Sequence, residues 1–232
     1  MPELILCAEE EQFVLENEWD TAIPFSFTDV KGEGLTLSVF PQAEHVARAF
    51  LSGYAENPTS DAALSFLFRV WAPFWGRWGY GEDVFRAGGG YILLPAPPYR
   101  GSLAPARRLT AEDEAINETT YDLAETCRAG CLAFGVEDGG RVVSLAVTHE
   151  APEEGQTLAE VGVETIPAAR RRGYAAASLS ALTAALTARG MTVEYRCQRY
   201  NHASRRTALA AGFCEVGKYY YYVGRRTETH GI

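Results

Sequence analysis

The sequence has no CxxC pair and no HExxH run among its five cysteines and four histidines. Neither a zinc ribbon nor a zincin-type centre is therefore expected, and no metal is assigned. Five is an odd count, and Cys7, Cys127, Cys131, Cys197 and Cys214 are widely spaced in a chain of 232 residues. That argues against a disulfide framework, which small secreted domains need and a chain with a full core does not. The phosphate loop GxxxxGK[ST] and the dinucleotide fingerprint GxGxxG are both missing. No apolar run approaches the ~18 residues of a membrane helix, so no membrane partner is expected. The first residues, MPELILC followed by Glu9, Glu10 and Glu11, lack the basic flank of a signal peptide, and a cytoplasmic location is the expectation. Basic residues are scarce: 21 against 30 acidic ones, for a formal charge of −9. Nonspecific nucleic-acid binding depends on a basic surface, so no nucleic-acid partner is expected.

Hydrophobic residues supply 47% of the chain and charged residues 22%, the usage of a folded globular protein of one or two domains. The charge is uneven. Residues 1–102 carry 14 acidic and 6 basic side chains, residues 103–232 carry 16 and 15. The later part therefore holds local basic clusters, Arg170-Arg171-Arg172 and the run from Arg199 to Arg206. Such clusters inside an acidic protein suit a small polyanion better than a nucleic acid. Consecutive prolines favour extended spacers, so Pro95-Ala96-Pro97-Pro98 is the best boundary. It separates an N-terminal α/β extension, residues 1–98, from a second domain, residues 99–232.

In the extension, LTLSVF at 35–40 alternates as a strand does, and 41–54 is patterned as a helix with Val46, Ala49, Phe50 and Tyr54 on one face. Residues 62–71 read as a helix ended by Pro73, the glycine-rich stretch 76–90 as a loop, and 91–94 as a short strand. Past the boundary, 103–109 reads as a strand, and Thr110 with Asp113 is a helix-start signal. Two apolar runs, 132–136 and 141–148, flank Glu137-Asp138-Gly139-Gly140 as a hairpin. Strands follow at 158–165 and 192–198, helices at 174–189 and 203–211, and a last strand at 216–223. The succession predicts an α/β fold with a mixed central sheet and helices on both faces.

The most informative stretch is VETIPAARRRGYA, from Val163 to Ala175. A strand enters a basic, glycine-containing turn that opens directly onto a helix. The free N–H groups of a helix start, with its partial positive charge, form a cradle for phosphate. A solvated arginine-rich turn has the same sequence signature. Farther along, Asn201 and Ser204 stand at a strand-to-helix junction, ahead of Gly212-Phe213. They fit an ordinary helix cap and equally a polar edge of the same crevice.

Together these elements resemble the GNAT superfamily of N-acetyltransferases over about residues 103–232. The family's R/Q-x-x-G-x-G/A signature falls on Arg170, Gly173 and Ala175, its T-x-P on Thr165 and Pro167, and its later elements on Asn201, Ser204, Gly212 and Phe213. The resemblance implies acetyl-CoA as co-substrate and a small-molecule amine or peptide as acceptor, with a homodimer one option for assembly. It implies that the strand ending at Thr165 splays from its neighbour and leaves room for pantetheine. Arg170, Arg171, Arg172, Gly173, Tyr174 and Ala175 would surround the pyrophosphate, Asn201 and Ser204 would contact the cofactor from the next loop, and a backbone N–H between Val163 and Thr165 would polarise the acetyl carbonyl. An amine would then attack directly.

One departure stands out. Many members place a tyrosine seven residues after the motif asparagine as proton donor to the thiolate, and Ala208 stands there. That absence leaves open an acyl-CoA-binding module or sensor without catalysis. Two arginine clusters also leave an RNA-contacting protein as a third option. For a base, Glu160 and Glu164 share strand parity near the acyl end, and nothing in the residues chooses between them. Trp71, Phe74, Trp75 and Trp78 recur at helical spacing and read as packing rather than a cation cage. Cys197 reads as a buried thiol, His202 as a helix-start residue, and the tyrosines at 219–222 as strand packing.

Overall fold

The structure, a computed structural model, describes residues 3–6, 14–15, 21–39, 41–58, 60–63, 65–67, 69–70, 86–97, 105–153 and 155–225. The chain packs as two compact units, Met1–Gly90 with Gly217–Ile232, and Tyr91–Val216. The first unit takes in the later part of the last strand as well as N-terminal residues, so the two units do not divide at one point in the sequence.

The first unit contains strands β1 (Glu3–Leu6), β2 (Val14–Leu15), β3 (Thr21–Val30) and β4 (Gly34–Val39), and helix α1 (Glu44–Tyr54). Strands β3 and β4 pair antiparallel, β1 joins β4 in parallel, and residues 217–225 of the last strand run antiparallel to β3. Alternation along GLTLSV buries Leu35, Leu37 and Val39 while the residues between them stay partly exposed, as a strand with one covered face requires. Helix α1 covers them with Val46, Ala47 and Phe50. Its stripe is shifted from the expected one, since Ala49 is exposed. Phe27 stacks on Tyr220 with ring centroids 4.7 Å apart, so the tyrosine of the last strand does pack in a core. Glycines 88–90, expected in a loop, lie instead in strand β5 (Arg86–Pro95). A Cβ on Gly89 would come within 2.6 Å of the Tyr219 carbonyl oxygen, so glycine marks a close backbone approach rather than a loop. The tryptophans and Phe74 of the 71–78 stretch lie outside the described residues.

In the second unit the strands β6 (Arg107–Arg108), β7 (Ala133–Asp138), β8 (Arg141–Thr148), β9 (Leu158–Thr165) and β10 (Thr192–Gln198) form the order β10-β9-β8-β7-β6. Only the β9–β10 pair in that series is parallel. A short helix α2 (Leu123–Arg128), which the sequence reading passed over, precedes β7, and helices α3 (Tyr174–Thr187) and α4 (His202–Ala210) flank β10 in sequence. The last strand, β11 (Phe213–Arg225), begins in this unit.

Side-chain alternation divides this sheet between two cores. Phe134, Val136, Ala146, Ala159, Val161 and Val193 pack with Leu179, Leu182 and Leu186 of α3. The intervening Ala133, Leu145 and Val147 pack with Leu123 of α2 and with Leu109. Burying each leucine contributes roughly 1.5–3 kcal/mol, so both faces anchor the sheet. Thr110 and Asp113 do form a helix start: a capping box opens the 3-10 turn Ala111–Ile116. The mixed sheet and its two helical layers are those expected. Among the described residues no helix is long and apolar enough to cross a membrane.

Candidate functional site

Pairing between β9 and β10 covers three residues on each strand, from Leu158 with Thr192 to Glu160 with Glu194. Both strands continue past that point, to Thr165 and Gln198. Strand β9 stays laddered to β8 along its other edge, from Val161 with Thr148 to Thr165 with Ser144. The edge of β9 turned toward β10 therefore keeps backbone donors and acceptors outside any ladder, open to side chains, solvent or a ligand.

The divergence opens into a cleft of about 580 Å³. Val163, Glu164, Thr165 and Tyr195 line it from the strands. Ala169, Arg170, Arg171, Gly173, Tyr174, Ala175 and Ala176 line it from the turn and the start of α3. Asn201, Ser204, Arg206 and Thr207 line it from α4 and the residue before it. The turn and the Asn201 junction thus share one cleft.

The turn is shaped to leave its amides outward. Pro167–Ala169 forms a single 3-10 turn, and Arg171 and Gly173 both take left-handed backbone, φ 62° and 83°. Gly173 is the N-cap of α3 and no side chain caps the helix. The first helical bond returns from the Ala177 N–H to the Gly173 carbonyl, so the amides of Tyr174 to Ala176 precede the intrahelical ladder. A Cβ on Gly173 would meet nothing within 4 Å. Beneath the turn, Ser178 Oγ donates to Ser144 Oγ at 3.3 Å, Ser144 Oγ donates to the Glu164 carbonyl at 2.9 Å, and the Ser144 and Thr165 hydroxyls lie 2.7 Å apart. These hydroxyls tie α3, β8 and the end of β9 together.

Three arginines line the cleft, Arg170, Arg171 and Arg206. Arg170 Nε donates to the Thr165 carbonyl at 3.2 Å, which holds that side chain along the strand end. Arg172, expected beside them, is not among the lining residues. Its guanidinium is paired with Asp138 of the β7–β8 hairpin, whose Oδ2 also accepts from the Tyr174 hydroxyl at 3.3 Å. Its positive charge is neutralised there, next to the turn rather than inside the cleft.

On α4, Asn201 Oδ1 accepts the Ser204 N–H at 3.0 Å and caps the helix. Ser204 Oγ lies 2.7 Å from the Tyr195 hydroxyl. Tyr195 is only 3% exposed, and burial raises its phenol above the ordinary range, partly offset by the Ser204 hydrogen bond.

Glu164 lines the cleft, and its carboxylate accepts from the Thr120 N–H at 3.1 Å and the Thr120 hydroxyl at 2.8 Å. Glu160 has the same strand parity but lines a separate hollow of about 290 Å³, with its Oε1 3.6 Å from His149 Nδ1. Gly162 lies between the two. A Cβ there would come within 2.8 Å of both the Tyr121 hydroxyl and His149 Nε2, so glycine lets both polar groups lie over the strand. Burial and the charge of Glu164 raise the Tyr121 phenol.

Sequence reasoning missed Tyr195, Tyr121, His149 and Thr120, and noticed Arg206 only as part of a basic run. Tyr195 alternates with Val193 and Cys197, all three buried, so its parity reads as core. A phenol among aliphatic neighbours is the signal that distinguishes it, because a buried hydroxyl needs a partner. Cys197 is a buried free thiol that burial pushes up, and His202 is the exposed first residue of α4. Among the described residues no cluster of three or more His, Cys, Asp or Glu side chains is placed to hold a metal.

Residues 97–213 match the model of the acetyltransferase (GNAT) family. No curated protein matches the chain significantly. Among solved structures, the chain is similar to an acetyltransferase from the GNAT family of Colwellia psychrerythraea, at TM-score 0.50 and 14% identity over 86% of this chain and 81% of that one. A GCN5-related N-acetyltransferase-like protein from Streptococcus suis gives TM-score 0.49 and 17% identity over 88% and 84%. A protein of Novosphingobium aromaticivorans assigned to the GNAT family gives TM-score 0.48 and 26% identity over 61% of this chain, which spans 66% of that protein. The family model covers half of the sequence and includes every element that builds the cleft, and the chain belongs to the acetyltransferase (GNAT) family.

Proposed function

We propose that the protein transfers an acetyl group from acetyl-CoA to an amine acceptor by direct attack. The observation that carries this reading is the single cleft that takes in both the opening between β9 and β10 and the uncapped start of α3. A linear ligand with a polar, amide-containing arm and a phosphate-bearing end fits both parts. The arm pairs with the free edge of β9 at Val163 to Thr165, and the pyrophosphate rests on the amides from Arg171 to Ala176. Arg170, Arg171 and Arg206 supply the counter-charge. With the anionic end so fixed, the thioester lies near the point of divergence, where a β9 amide polarises the carbonyl.

An alkylammonium, with a pKa near ~10, must lose a proton before attack. Glu164 is the carboxylate that borders the cleft, and it takes that proton directly or through water. Its two hydrogen bonds from Thr120 hold it in place. The acceptor is a small-molecule amine or a peptide amino group.

Titration calorimetry with acetyl-CoA tests the binding half of this reading. The wild-type protein binds with a micromolar or tighter constant, and Gly173→Trp, which projects an indole in front of the helix amides, weakens binding at least tenfold. Equal binding by both, or none by either, contradicts the proposal. One observation favours a second reading, a binding module without turnover: Ala208 is fully buried and bears no proton donor. Release of free thiol with a panel of primary amines separates the two.

A further inference from the structure

A departing thiolate needs a hydrogen-bond donor, and the cleft offers few. The Thr165 hydroxyl is engaged with Ser144 and the Tyr174 hydroxyl with Asp138. Aliphatic hydroxyls of Ser204 and Thr207 are much weaker acids than a phenol. Tyr195 is different. It follows directly on Glu194, the last residue of β10 laddered to β9, and so stands at the apex of the opening. It borders the cleft although the residue is 3% exposed, which places the hydroxyl in a poorly hydrated position where a donor is most effective. Phe213 packs edge-on against the ring at 6.1 Å, and Ser204 lies 2.7 Å from the hydroxyl. With Ser204 as donor in that pair, the phenolic proton is left for the cleft.

Resting on the acyltransfer reading above, we propose that Tyr195, oriented by Ser204, donates its hydroxyl to the sulfur of the acyl donor. As the acceptor nitrogen forms its bond to the acyl carbon, the carbon–sulfur bond breaks and its electron pair stays on sulfur. The phenolic proton moves toward that sulfur, leaving the free thiol as product. The proton given up by the amine to Glu164 passes to solvent, and solvent restores the phenol through Ser204. Strand β10 thus supplies the donor that position 208 on α4 lacks. Burial keeps the phenol protonated at neutral pH, so it enters the reaction as a donor.

The test needs no knowledge of the acceptor. Coenzyme A and desulfo-coenzyme A, in which hydrogen replaces the sulfhydryl, are titrated calorimetrically into the full chain and into Tyr195→Phe and Ser204→Ala variants. The wild-type protein binds coenzyme A about tenfold more tightly than the desulfo compound, which is about 1.4 kcal/mol. In Tyr195→Phe the two constants converge, while that for the desulfo compound stays within about twofold of wild type. In Ser204→Ala the gap narrows but persists, because the phenol remains. Loss of desulfo binding in Tyr195→Phe, a wild-type protein blind to the sulfur, or an undiminished gap in Tyr195→Phe overturns the assignment of Tyr195 while leaving the cleft as a coenzyme site. Failure of the wild-type protein to bind either compound removes the acyltransfer reading itself, and this inference with it.

Discussion

Glu160 and Glu164 share one face of β9 four residues apart, and their neighbours give them different work. Glu164 borders the cleft and is held by two donors from Thr120, whereas Glu160 faces His149 across a separate hollow. General-base catalysis contributes about 10²–10⁴-fold. Glu164→Gln should therefore lower kcat for acetyl transfer by about 10²-fold or more with the acetyl-CoA binding constant little changed. Glu160→Gln should lower it by less than about threefold. Steady-state thiol release on both variants decides, and the reverse order would move the base to the His149 side. The sequence could place these carboxylates on one face because strand parity is local information. It could not rank them, because Thr120 and His149 reach β9 from distant parts of the chain.

Among the elements, the strand–turn–helix from β9 to α3 was the most legible, since glycine, proline and arginine positions set local backbone that tertiary packing does not override. The LTLSV strand was legible from its alternation, and the β7–β8 hairpin from two alternating runs around Gly139-Gly140. Helix α2 was not: six residues, LAETCR, are too few for a 3.6-residue period to show. Glycines 88–90 misled because a strand that admits a close neighbour and a loop share one composition. The capping box at Thr110 and Asp113 was readable, but its coupling to the sheet was not: the Asp113 carboxylate also accepts from Arg107 Nη2 at 2.7 Å and Nη1 at 3.1 Å. Arg107 and the Thr110 amide hold Asp113 below its ordinary range. A lowered carboxylate contributes stability that is present above its unfolded value, near ~3.9, and is lost as the pH falls through the native one. Asp113→Asn should therefore cost about 1 kcal/mol in urea unfolding at pH 7. The difference from wild type should shrink between about pH 4 and pH 2, and a penalty independent of pH would rule out the ionic part of this account.

At the scale of the whole molecule, a net charge of −9 coexists with a cleft lined by three arginines. On the proposed reading, the field far from the cleft repels polyanions, while the cleft takes a small one by short-range hydrogen bonds. The same division separates scaffold from site: the two cores of the second unit fix β9 and α3, and the residues facing the cleft are left free for chemistry. In the proposed reading, the start of α3 and the free edge of β9 hold one ligand together. Amide hydrogen exchange at single-residue resolution, with and without saturating acetyl-CoA, tests it most directly. Slowed exchange is expected at residues 171–176 and at one or more of 163–165 in the same titration, with the hollow around Glu160 unchanged. Protection confined to one of those two segments, or appearing only elsewhere in the chain, would contradict it.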